Sequence, residues 1–106
     1  MALGFLATKA RDEDVSLSVP PALARPIADA AEHLRGTRAS LREDGTLTGS
    51  PDAVRELLAA AIDESGERVS RTATALLRGE ETPAELRAAL AEAGALLALY
   101  ETIRRG

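Results

Sequence analysis

His33 is the only histidine in a chain of 106 residues that has no cysteine, so a transition-metal site or a histidine-based triad would have to pass through it. Asp29 precedes it by one helical turn and Glu32 adjoins it; a histidine and a carboxylate at i and i+4 share a helix face, as a ligand pair would. One histidine without a thiolate does not complete a usual transition-metal set, so the expected metal and cofactor content is none. A serine-histidine-acid relay would need the same residue, and no Gly-x-Ser-x-Gly elbow presents a nucleophile. Gly45-Thr46-Leu47-Thr48-Gly49 matches neither a phosphate loop nor a dinucleotide fingerprint. Asp63, Glu64 and Glu67 bring three carboxylates into a short stretch, but Arg68 and Arg71 follow at once, and mixed charge at helical spacing reads as a solvated face. Arg68, Arg71 and Arg78 share one side of that helix and could meet phosphates, with acidic neighbours diluting the field. No acid, base and nucleophile converge, which points away from an enzyme.

The elements that would position these side chains are dominated by Ser50 to Gly106, which reads as two long amphipathic helices and one short turn. Ser50 is a hydroxyl N-cap, Pro51 stands where its missing N–H costs nothing, and Asp52 and Glu56 suit the positive end of the dipole. Val54, Leu58, Ala61, Ile62, Val69, Thr72, Leu76 and Leu77 then recur at spacings that place them on one side. Gly66 could interrupt this helix. The apolar phase nevertheless persists from Ile62 through Ser65 to Val69, so the reading is one helix with a soft point, glycine costing about 1 kcal/mol against alanine. Gly79 caps the end. Thr82-Pro83-Ala84-Glu85 opens the second helix with a capping box, and Leu86, Leu90, Ala93, Leu97 and Tyr100 form its heptad-like seam. So short a link makes the two helices antiparallel.

Upstream, Val15-Ser16-Leu17-Ser18-Val19 alternates as a strand with one buried face and stops at Pro20-Pro21. A helix follows from Pro21 to about Arg35, with Leu23, Ile27, Ala30, Ala31 and Leu34 on one face and Gly36 as its cap. Between Ala39 and Thr48, Asp44-Gly45 fits a tight hairpin, and a polar loop fits equally well. Met1 to Ala10 suits a short strand, a helical turn or a docking arm. The expected fold class is therefore mainly α: a long antiparallel helical hairpin plus an N-terminal helix and a small β element. It forms a single helical domain over 1–106, divided into a strand, helix and loop region (1–49) and the hairpin (50–106).

Net charge is −4 with acids and bases interspersed, so no bulk field draws the chain to nucleic acid or anionic lipid. No apolar run reaches the roughly 18 residues of a membrane span, and the start lacks a basic signal-peptide region. The expected location is the cytoplasm. Aromatic residues make up only 2% of the chain, which leaves leucine and alanine to build a core in which helices pack closely.

Ala93 to Tyr100 carries no charge. Leu97 and Tyr100 continue the seam, whereas Leu96, Leu99 and Ile103 turn to other sides, and a helix apolar around most of its girth must be covered more than once. Either the N-terminal strand and helix cover it, or a second copy or another protein does. Because large exposed apolar patches are rare on monomers, the favoured reading is a homodimer or protein partner at Leu96, Leu99, Tyr100 and Ile103. The function this implies is a non-enzymatic interaction or regulatory module.

Val15-Ser-Leu-Ser-Val-Pro-Pro-Ala-Leu-Ala-Arg-Pro-Ile-Ala-Asp-Ala-Ala, followed by Thr48-Gly-Ser-Pro-Asp-Ala-Val-Arg-Glu-Leu-Leu-Ala-Ala-Ala-Ile, resembles the strand and two helices of ribbon–helix–helix antitoxins of the ParD type. The resemblance implies a dimer whose strands pair across the two chains and enter the DNA major groove, with a C-terminal segment wrapped on a cognate toxin. On it, Ser16 and Ser18 would face DNA and the helical segment after Gly66 would hold the toxin. A dimeric DNA-binding regulator is thus the alternative function.

Overall fold

Local backbone chemistry sets most of the element boundaries. The computed structural model describes residues 14–34 and 36–105; Met1 to Ala10 lies outside the described residues. Strand β1 (Val15–Ser18) ends at the proline pair, and helix α1 (Pro21–His33) begins with proline at its first position. It stops two residues before the expected end because Leu34 is already extended, with φ −94° and ψ 98°. Leu23, Pro26, Ile27 and Ala30 form its buried face.

Residues 40–49 form a hairpin of β2 (Ser40–Leu41) and β3 (Thr46–Gly49). A turn closed from Gly45 N–H to Arg42 O (3.0 Å), with Gly45 at φ 88°, makes a three-residue loop, and Asp44 Oδ1 accepts the Thr46 N–H at 2.9 Å. The local hydrogen bonds therefore select the hairpin over the polar loop. Gly49 has φ 153°, and a Cβ there would lie 2.8 Å from Ala39 Cα, so only glycine lets the chain pass.

The sheet is antiparallel in the order β1-β3-β2, with α1 making the crossover from one edge to the other. Its register aligns Leu17, Leu47 and Leu41 in one row and Ser16, Thr48 and Ser40 in the adjacent row. The leucine row joins the core: Leu47 is fully buried, while Leu17 and Leu41 pack against it. Alternation sends the hydroxyl row to the other face.

Helix α2 (Pro51–Leu77) is capped by Ser50 Oγ, which accepts the Ala53 N–H at 3.1 Å, and continues through Gly66. It closes in a Schellman arrangement: Gly79 N–H bonds Leu76 O at 3.0 Å and Glu80 N–H bonds Ala75 O at 2.8 Å. Thr82 Oγ1 accepts the Glu85 N–H at 3.3 Å and opens helix α3 (Pro83–Arg105), antiparallel to α2. Val54, Leu57, Leu58 and Ala61 of α2 meet Leu23, Ile27 and Ala30 of α1, with Val19, Ala39, Leu47 and Leu96 completing the cluster. No helix among the described residues is long and apolar enough to cross a membrane.

Two expectations for the helical faces are corrected. Leu77, the last residue of α2, is 90% exposed, whereas Leu76 beside it is half-buried. On α3 the inward phase is Ala89, Leu96 and the flanking Leu99, Tyr100 and Ile103, whereas Leu90 and Leu97 are each 51% exposed. Leu96 is completely buried within its own chain and cannot serve as an outer interface, and Leu99, Tyr100 and Ile103 are half-covered by the same core. The physical reason is a second neighbour: α1 contacts α3 as well as α2, so the helix turns toward the groove between them.

Candidate functional site

The charged side chains gather in an open groove between α1 and α2. His33 sits on the last turn of α1, where the helix dipole favours a cation. Its Nδ1 lies 2.8 Å from Glu64 Oε2 on α2. That hydrogen bond, and then the carboxylate's charge, raise the His33 pKa above 6.5, with smaller contributions from Asp29 and Glu32. Glu67, Arg68 and Arg71 complete the groove wall. Histidine thus finds its partner across the helix interface rather than at Asp29 on its own helix.

A second polar link lies deeper. Ser65 is 1% exposed, the only buried polar residue among those described, and its hydroxyl donates to Glu92 Oε1 at 3.2 Å. Arg68 also donates to Glu92 Oε1. Ser65 follows the apolar phase of α2 and so points at α3; Glu92 answers it there, the only charged residue between Arg87 and Glu101. Sequence reasoning missed Glu92, although a lone charge in an apolar run was the available signal. It also took Glu64 for solvated surface, since a partner on another helix leaves no mark in sequence spacing.

This arrangement links three helices: His33 and Glu64 join α1 to α2, and Ser65 and Arg68 join α2 to Glu92 on α3. The Ser65 hydroxyl is directed at Glu92 and not at His33. His33 is itself 68% exposed at the side chain and pairs with one carboxylate. Among the described residues no cluster of three or more histidine, cysteine or acidic side chains could hold a metal ion.

Two outer surfaces remain. Ser16 and Ser18 are exposed on edge strand β1, which pairs with β3 of its own chain, and Ser40, Thr46 and Thr48 extend their hydroxyl face across the sheet. On the outside of α3, Ala88, Leu90, Ala91, Gly94, Leu97 and Ala98 are all exposed. Leu90 and Leu97 stand seven residues apart and hence one above the other, about 10.5 Å along the axis. No family model matches the chain, and no significant match to it was found among curated proteins or solved structures.

Proposed function

We propose that the protein is a non-enzymatic interaction module of the cytoplasm that self-associates through the outer face of α3. The observation that carries this reading is the pair of half-exposed leucines, Leu90 and Leu97, on one uncharged strip. Single exposed leucines are ordinary, but two in register with alanine and glycine between them offer a contiguous surface for another helix. The interface expected at Leu96, Leu99, Tyr100 and Ile103 is thereby moved to the Leu90–Leu97 face of the same helix. The groove at His33 supports a structural role, since each of its central groups is engaged with a neighbouring helix.

Native mass of the full-length chain over a dilution series tests the proposal. A dimer that dissociates on dilution is expected, and Leu90→Glu with Leu97→Glu should yield a monomer with unchanged helical circular dichroism. A wild-type monomer at every concentration would sink the proposal.

The second reading, a ribbon–helix–helix-like DNA-binding dimer, draws on the exposed hydroxyls of Ser16 and Ser18 on β1, an edge strand among the described residues. It requires binding to duplex DNA that weakens steeply with salt and is lost in Ser16→Asp with Ser18→Asp. No binding at low salt would remove it.

A further inference from the structure

We infer that the hairpin of α2 and α3 is hinged at the level of Gly66 and Gly94, so that its distal part, residues 67–93, swings as one arm relative to the rest of the molecule. The inference stands apart from the self-association reading and needs no partner. α2 and α3 hold one glycine each, and α1 holds none. Gly66 lies eleven residues before Leu77, the end of α2, and Gly94 eleven residues after Pro83, the start of α3. At 1.5 Å per residue both stand about 16 Å from the turn, so the two glycines share one level of the antiparallel hairpin. The 3.2 Å hydrogen bond from Ser65 to Glu92 fixes the register close to that level.

That level is also where the core stops. On α2 the core and its apolar flank reach Ile62, and on α3 they resume at Ala95. From Gly66 to Ala88 no residue is buried, and Val69, Leu76 and Leu86 are only half-covered. Two helices alone cover one side of each other, so the arm is held by fewer buried apolar groups than the rest and bends more readily. Glycine is the weakest helix former after proline, and a serine–glycine pair such as Ser65-Gly66 is a common site of helix bending. A Cβ built on either glycine would meet nothing within 4 Å, so packing within the chain requires neither. The polar contacts divide the hairpin in the same way. His33 and Glu64 tie α2 to α1 on the near side of the glycines. Beyond them Arg68 donates to Glu92 and joins the two arm helices, so that they move together. The bond from Ser65 to Glu92 crosses the level and breaks when the arm bends.

The chain has no cysteine, so spin labels go only where cysteines are introduced. Leu77→Cys at the arm tip with Ser16→Cys on β1 reports the swing by double electron–electron resonance, the labelled protein being diluted into unlabelled chain to remove any signal between copies. Ser16→Cys with Asp63→Cys is the reference, since both sites lie on the near side of the glycines. The arm pair is expected to have the broader distance distribution, by about twofold, and Gly66→Ala with Gly94→Ala should narrow it toward the reference width. The open space at both glycines lets this alanine variant fold. An arm pair as narrow as the reference, or a width that the two alanines leave unchanged, overturns the hinge.

Discussion

At the residue scale the chain places its polar groups where another helix can answer them. His33 and Glu64 are 31 residues apart in sequence and 2.8 Å apart in space. Because the partner raises the histidine's pKa, the stabilisation from this pair is fully present below the unfolded value of 6.5 and fades as pH rises through the folded value, so long as Glu64 is ionised. The pair is exposed, so its effect on global stability is small. Its local signature is sharper: in Glu64→Gln the His33 titration followed by NMR should move back toward 6.5. A histidine that titrates identically in both proteins would show that the hydrogen bond does not form in solution.

At the element scale, capping chemistry and apolar phase were enough to delimit α2. Ser50 binds the Ala53 N–H, and Gly79 closes the far end. Gly66 sits within the helix with nothing near the position of a Cβ. Gly66→Ala should therefore raise stability by up to about 1 kcal/mol in urea unfolding and leave the native mass unchanged. A lower midpoint would mean that the helix needs its soft point. β1 was equally legible, since strict alternation of apolar residues with serine puts Val15 and Leu17 toward the core and both hydroxyls outside. The hairpin at 40–49 was not, because a three-residue loop with an Asp44 side-chain contact and a polar loop have the same composition.

At the scale of the whole molecule, α1 decides which side of α3 is inside. Seen as a hairpin alone, α2 and α3 would meet along Leu86, Leu90, Ala93 and Leu97; with α1 added, the helix rolls so that Leu96 enters the shared core and Ala89 is buried. Two adjacent leucines report the difference. Leu96→Ala should cost about 2–5 kcal/mol by leaving a cavity, and Leu97→Ala less than about 0.5 kcal/mol in the monomer, measured by chemical denaturation. Equal losses would contradict the phase of α3. The sequence by itself determined the helices, both caps of α2, the antiparallel hairpin and the alternating strand, because each follows from contacts within a few turns of chain; the end of α1 at His33, short of the expected cap at Gly36, was not among them. Only the tertiary structure decided the partners of His33 and Ser65 and the outward turn of Leu90 and Leu97. A helix apolar on several sides fits several neighbours equally well, and the neighbour that buries the most surface is fixed by the packing of all three helices together.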